Sequence, residues 1–490
     1  MASLKQKTVS GFKWLAINNI LQKVISIGTF AILARLLEPS VFGLFAMAFI
    51  AIDGLSMFKT FGLDGSLVQK KNAPEVANDT AFFLIEGMSV TLFLICFIFA
   101  PLIARFFGNQ ELGSIVRALG IVFVLGGLAR VPSALLTKKM RFKLISFIDL
   151  TGSTVNCIFA VIFALISPTV WSLVGAYVIK QTIMTLLAWS FSGYKLRWRF
   201  DFGHARELFN FGKYLMLLSV VSYIGSNINN VVIGKLLGVA AVGYYTLASN
   251  IGNLINTHFT HVISRVMFPA YSAMQDDRET LKRAYLKTIK FISMFAFPFS
   301  IALICLSKEF VLTLYGAKWI SIIPLIRLLG FAQMVAPIMI ACGSLYRGCG
   351  KPAYDFRMNL GYLCFQIPTM IILTKHWGVT GTVIAGIISA MVFTPISVYL
   401  VRRIVAFKIS EFFAQLLPAA SCALVMLVTI FLSKRFLIVP TYFSSVAFHN
   451  LILLALFSFV GVLSYASAFF FVDRRASLEV KRMIFNLDGA

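Results

Sequence analysis

The sequence predicts an all-α membrane protein of about fourteen transmembrane helices. They form two six-helix lobes, related by a pseudo-two-fold axis along the membrane normal, plus two C-terminal helices. Three observations lead there: long apolar runs, basic residues that collect on alternate sides of them, and a self-match at a spacing near 200 residues. Hydrophobic residues make up 59% of the chain and charged residues 13%, with a mean hydropathy of +0.87. A water-soluble globule carries about twice that share of charge.

A hydrocarbon core about 30 Å thick takes roughly 20 apolar residues per helix. Such segments begin near Gly11, Val41, Thr80, Ser114, Ile145, Val170, Leu208, Ala241, Ala284, Ile320, Tyr354, Val379, Phe412 and Phe448. With the N-terminus placed in the cytoplasm, Lys5, Lys7 and Lys13 precede the first span, and Lys70 and Lys71 follow the second. The next inner loops hold Lys138, Lys139, Arg141 and Lys143, then Lys195, Arg197, Arg199, Arg206 and Lys213. After these come Arg265, Arg278, Lys282, Arg283, Lys287 and Lys290, then Arg347, Lys351 and Arg357. Arg402, Arg403 and Lys408 precede span thirteen, and Arg474, Arg475, Lys481 and Arg482 form the tail. That is 30 basic residues inside against 8 outside, where only Arg35, Arg105, Lys235, Lys308, Lys318, Lys375, Lys434 and Arg435 fall. The bias is the positive-inside rule, and one miscounted span would scramble it for every later loop. Both termini are expected in the cytoplasm.

The self-match supplies the organisation. Residues Arg35 to Phe45 align with Lys235 to Tyr245 at an offset of 200, and Val116 to Gly120 with Ile326 to Gly330 at 210. Each half holds an even number of spans, so both insert in the same sense about an axis along the membrane normal. The expected boundaries are 1–200 for the N-terminal lobe, 201–405 for the C-terminal lobe and 406–490 for two added helices and a tail. The link from Gly193 to Arg206 mixes Lys195, Arg197 and Arg199 with Trp198, Phe200 and Phe202. It suits a helix lying in the interface or a solvated basic linker.

Composition excludes several functions. The net charge of +25 sits at helix ends facing anionic headgroups, so nucleic acid is not an expected partner. Seven cysteines in or beside apolar runs show no spacing for a metal site or disulfide framework. No short apolar stretch ends in a small-residue cleavage site near the start. No outward loop is long enough for a catalytic domain, which argues against a membrane polymerase or ligase, and no P-loop appears. No catalytic residue, metal or bound cofactor is expected.

Charges within the spans carry the functional signal. A charge at the bilayer centre costs roughly 2.5 to 3.5 kcal/mol even on the lenient scale, so such groups face a protein interior or a wet cavity. Lys23 and Lys180 lie near midplane, Arg117 and Arg327 occupy repeat-equivalent positions near the outer ends, and Lys59 and Arg130 lie toward the inner ends. For the outer and inner pairs, snorkelling to headgroups competes with a cavity role. Asp53 is mid-span and Glu86 near the inner face. Asp53 either pairs with Lys23 or serves as a protonatable coupling group. The second half replaces Lys23 by Tyr223 and Asp53 by Asn253, and studs spans seven and eight with amides, among them Asn227 and Asn230. These stitch helices together or contact sugar hydroxyls. A cavity with net positive charge suits phosphate or diphosphate.

Ser10-Gly11-Phe12-Lys13-Trp14, Ala34-Arg35-Leu36-Leu37 with Phe42-Gly43, and Phe61-Gly62-Leu63 with Leu67-Val68-Gln69 resemble the opening of Wzx-type polysaccharide flippases. Arg265 to Tyr271 with Gln275-Asp276-Asp277, and Tyr315-Gly316-Ala317-Lys318-Trp319 leading to Ile323-Pro324, resemble the colanic-acid-exporter branch of the multidrug/oligosaccharidyl-lipid/polysaccharide superfamily. The resemblance implies a bacterial inner-membrane protein that moves undecaprenyl-diphosphate-linked oligosaccharide repeat units to the periplasmic leaflet by alternating access. Such a protein would serve exopolysaccharide, O-antigen or capsule synthesis. The implied partners are the lipid-linked oligosaccharide, membrane lipids and polysaccharide polymerase machinery, with a proton or sodium gradient as the drive. Lys23 and Lys180 match the family's cavity cations by depth, not by motif. A cation-coupled multidrug exporter and a peptidoglycan-precursor flippase of the same superfamily are the alternatives.

Overall fold

The structure, a computed structural model, describes residues 4–60, 75–201, 223–436 and 446–473. Every regular element among the described residues is helical. In order they are α1 (Leu4–Leu36), α2 (Pro39–Thr60), α3 (Glu75–Phe107), α4 (Glu111–Lys138), α5 (Phe142–Ile166), α6 (Val170–Ser192) and α7 (223–237). They continue with α8 (Val239–Gly252), α9 (His261–Ala273), α10 (Arg278–Leu314), α11 (Ile323–Gly348), α12 (Pro352–Val405), α13 (Ile409–Phe436) and α14 (Val446–Val472).

Eleven of the described helices are long and apolar enough to cross a bilayer. The expected fourteen follow once three details are resolved. As a straight rod, the 54 residues of α12 would run about 80 Å, more than twice a hydrocarbon core. Its backbone breaks at Gly378 (φ 60°, ψ −143°), a conformation open essentially to glycine alone. There the chain doubles back: the hydroxyls of Thr374 and Thr382 meet at 2.7 Å, and Gly381 lies on the carbonyl of Leu373. Spans eleven and twelve are the two arms of this hairpin. Span eight is α8 and α9 joined through a π-helical turn at Asn256–Thr260. Of span seven, residues 223–237 are described; its start near Leu208 lies outside the described residues.

The chain separates into two compact units, Met1–Gly243 and Tyr244–Ala490. In the first, α3 and α4 form a close antiparallel pair. Gly113, Gly120 and Gly127 recur every seven residues on α4 and meet Ala100 and Ala104, Phe93 and Cys96, and Glu86 and Ser89 of α3 in turn. Without side chains on that stripe the backbones approach closely, the usual way helices adhere where no hydrophobic force acts between them. α5 packs on α6 and α1, and α2 on α3 and α4.

In the second unit, Gly330, the repeat partner of Gly120, sits against Ser300 and Ile304 of α10. α13 and α14 both lie along α10. Lys434 Nζ bonds Glu309 Oε1 at 2.7 Å and the Cys305 carbonyl at 2.6 Å. The Tyr465 hydroxyl donates to the Met294 carbonyl at 2.8 Å, and Lys290 pairs with Asp473. The two added helices are therefore clamped to α10 at both ends. Across both units large apolar side chains stand exposed, among them Ile98, Ile166, Leu417, Phe431 and Phe471. Lipid satisfies that surface; water would not.

The linker after α6 is not an interfacial helix over its described part. Gly193 (φ 66°) ends α6, and residues 194–201 are irregular, running back along the start of α3. Asp79 and Thr80 supply hydrogen bonds that hold it there, so the helical option is lost; residues 202–206 lie outside the described residues.

Candidate substrate and coupling site

Four helices of the first unit enclose a cavity of about 430 Å³. Asp53 and Ser56 face it from α2, Arg130, Ser133 and Thr137 from α4, Asp149 from α5, and Tyr177 and Gln181 from α6. Helical spacing explains the selection. Phe49, Ile52, Asp53 and Ser56 fall at i, i+3, i+4 and i+7 on one face of α2, and Tyr177, Gln181 and Met184 at i, i+4 and i+7 on α6. The apolar remainder, including Phe123 and Ile148, lowers the local dielectric, so the few charges present act strongly on one another.

Lys180 lies beside this cavity. Its stem runs past Gly152 of α5, where an added methyl would meet Lys180 Cγ at 3.6 Å and Met184 Sδ at 2.6 Å. Its ammonium stands 5.6 Å from the Tyr177 ring centroid and interacts electrostatically with Asp149. Asp149 is thus within electrostatic reach of Lys180, with no ion pair between the two among the described residues. The cavity lining itself holds two carboxylates, Asp53 and Asp149, and one cation, Arg130, so the lining is net negative rather than positive, and Lys180 beside it brings the group to balance.

Lys23 sits half-buried on α1. Among the described residues no ion pair joins it to Asp53, and Asp53 faces the cavity while Lys23 does not. Ile20 and Val24, on the same helical face as Lys23, are exposed.

The other expected residues lie elsewhere. Arg117 Nε donates to the Phe97 carbonyl at 3.3 Å with its guanidinium 4.9 Å from that ring centroid. Arg327 Nε donates to Ser307 Oγ at 3.1 Å. Phe97 and Ser307 are separated by the same 210 residues as the two arginines, so each arginine ties its helix to the preceding one in repeat-equivalent fashion. Neither lines the cavity. Glu86 abuts Gly127 in the α3–α4 seam. The side chain of Lys59 lies outside the described residues.

Of the amides, Asn227 donates to the Tyr223 carbonyl at 3.4 Å, and Asn230 keeps a buried Oδ1 without a hydrogen bond among the described residues. In the second unit Asn253 Oδ1 accepts from Gln333 Nε2 at 3.1 Å. Gln333 is 1% exposed, and its own oxygen, with those of Asn256 and Thr260 in the π turn, finds no hydrogen-bond partner among the described residues. Gln333, Gln181 and Tyr177 are uncharged residues on apolar helices, and only the π turn, itself invisible in the sequence, draws attention to the first. π turns concentrate at working parts of helices.

Comparison with known proteins agrees with this architecture. The lipopolysaccharide biosynthesis protein WzxC of Escherichia coli (strain K12) is 25% identical over 403 residues, 82% of each chain. The lipid II flippase MurJ in an inward closed conformation superposes with a TM-score of 0.73 at 18% identity, covering 94% of this chain and 98% of its own. An inward-facing multidrug transporter of the MATE family gives a TM-score of 0.63 at 19% identity, with 81% and 98% covered. At these identities the solved structures show a shared fold. Residues 32–324 match the polysaccharide biosynthesis protein family, well over half the chain, and with the relatives they bear out the resemblance to Wzx-type flippases. The chain is a multi-pass membrane protein that belongs to the polysaccharide biosynthesis protein family.

Proposed function

We propose that the protein flips undecaprenyl-diphosphate-linked oligosaccharide repeat units across the bacterial inner membrane by alternating access, with both termini in the cytoplasm, and hands them to polysaccharide polymerase machinery. One contrast between two cations supports this reading. Lys180 lies within electrostatic reach of Asp149, though not in an ion pair with it, whereas Lys23, equally deep, has no carboxylate acting on it among the described residues. An ammonium held mid-span without a counter-charge costs too much to face lipid, and a diphosphate in a wet chamber supplies the missing negative charge.

Asp53 and Asp149 take a different part. Carboxylates in a half-enclosed cavity beside Arg130 and Lys180 can exchange a proton or sodium ion as those cations shift. Gradient coupling is therefore assigned to this cavity and substrate charge to α1. The same acids are what a cation-coupled drug exporter would use, and the fold is shared with a lipid II flippase, so the test must separate three substrates. In proteoliposomes, a polyprenyl-diphosphate oligosaccharide should be translocated, and Lys23→Ala should abolish this while Lys23→Arg retains it. Translocation of an organic cation instead, or of lipid II alone, would replace the reading.

A further inference from the structure

Residues 194–201 form a strap whose ends are fixed and whose middle is not covered. At one end the Tyr194 hydroxyl donates to Asp79 Oδ1 at 2.7 Å, on a carboxylate only 2% exposed. At the other, the Asp201 amide donates to Thr80 Oγ1 at 3.0 Å. Between them Leu196 packs against the cluster of Ala81, Phe82 and Ile85. A tight three-residue turn, with the Arg199 amide bonded to the Arg197 carbonyl at 2.8 Å, puts Trp198 at its apex. Trp198 is 88% exposed and Phe200 44%, while Lys195, Arg197 and Arg199 are all exposed.

The level of the strap identifies its surroundings. Asp79 and Thr80 stand at the start of the apolar stretch of α3, which runs from Asn78 to Phe107, so the strap lies where hydrocarbon gives way to headgroups. The Trp198 ring rests 5.1 Å from that of Phe83, a residue already within the stretch. Tryptophan and basic residues together at that depth match a headgroup layer: the ring enters the acyl boundary and the cations meet phosphate. A soluble acidic partner would find the cations but would leave Trp198 in water.

We infer that the 194–201 strap is an anionic-lipid docking site, binding phosphatidylglycerol-type headgroups of the cytoplasmic leaflet through Lys195, Arg197 and Arg199 with Trp198 as its apolar anchor. It holds the start of α3 and the end of α6 at the membrane surface, beside the lobe whose cavity carries Asp53 and Asp149. The side of the membrane follows from the charge bias of the loops; the binding chemistry does not depend on it.

The test uses the full chain in neutral detergent, titrated with phosphatidylglycerol or phosphatidylcholine and read by native mass spectrometry as lipid retained. The unmodified protein should prefer phosphatidylglycerol. The Lys195→Gln/Arg197→Gln/Arg199→Gln variant should lose that preference by about fivefold per residue, on the order of 100-fold in all. Trp198→Ala should weaken both lipids alike. Should the triple variant unfold, Arg199→Gln alone, with its melting temperature in phosphatidylcholine unchanged, carries the same expectation at one fifth of the affinity. Equal retention of both lipids by the unmodified protein, or an undiminished preference in the variants, would overturn the site. Labelling of Lys195→Cys by a membrane-impermeant maleimide in inside-out but not right-side-out vesicles is expected, and the reverse would sink the cytoplasmic assignment independently of the lipid result.

Discussion

Gly43 and Gly243, partners in the internal repeat, face each other across a reciprocal contact. A methyl on Gly43 would collide with the carbonyl of Val239, and one on Gly243 with the carbonyl of Pro39 and, at 3.2 Å, the amide of Gly43 itself. Pro39 and Val239 are repeat partners too, so the starts of spans two and eight meet as two copies of one motif related by a pseudo-two-fold rotation. Overpacking such a contact costs about 1 to 3 kcal/mol. Gly43→Val and Gly243→Val should each lower the melting temperature by similar amounts and reduce export in cells. A harmless variant at either position would show that the two backbones can separate freely.

Lys23 and Lys180 should respond differently to removal. Lys23→Ala is expected to abolish translocation with little change in stability, because it breaks no ion pair among the described residues. Lys180→Ala should lower both, since Asp149 loses the favourable field of a nearby cation, and Lys180→Met/Asp149→Leu should recover thermal stability while remaining inactive. Melting curves beside a vesicle transport assay separate the two cases.

Asp53→Asn should leave binding of the lipid-linked substrate intact and remove the dependence of uptake on an imposed proton or sodium gradient. Unchanged gradient dependence would remove Asp53 from the coupling step.

Arg117→Gln and Arg327→Gln should each cost about 1 kcal/mol, as expected of a single hydrogen bond, exposed in the first case and half-buried in the second, and leave transport near its starting level. A complete loss of export in either would mean that the arginine reaches substrate in another conformation.

Outside the membrane, Lys282 and Glu411 pair at 2.9 Å. The Lys282 hydrogen bond, with a second from the Lys408 amide, holds the Glu411 carboxyl below its ordinary 4.5, and Glu411 in turn raises Lys282. A depressed carboxylate contributes stability that is complete above its unfolded value and disappears as pH falls through the folded one. A raised lysine contributes stability that is lost only as pH rises through its folded value. Glu411→Gln should therefore melt lower than the unmodified protein at pH 7, and the gap should close below about pH 4. A gap that persists there would assign the effect to packing.

Helix number and class were readable because hydropathy and loop charge report length and side, and both are local. Even the α12 hairpin followed from the two apolar runs that flank Gly378. What depth along a span cannot supply is azimuth. Lys23 and Asp53 share a depth, which suggested a pair, but only one of them turns toward the cavity. Asp149 and Lys180 come within electrostatic reach from different helices, where the missing side chain of Gly152 lets the Lys180 stem pass. The π turn before His261 has no signature in residue type, so the polar group around Gln333 stayed hidden. Arg117 and Arg327 were recognised as equivalents, and their shared role as tethers became visible once Phe97 and Ser307 proved equivalent as well.

The contacts binding α13 and α14 to α10 span Lys290 to Glu309, about 28 Å of helix. An exchange of C-terminal tails between relatives would consequently fail as a simple splice. A working chimera has to import the matching stripe of α10, with the acid at Glu309 and the base at Lys290, so the tail and that helix are inherited as one unit despite the hundred or so residues between them.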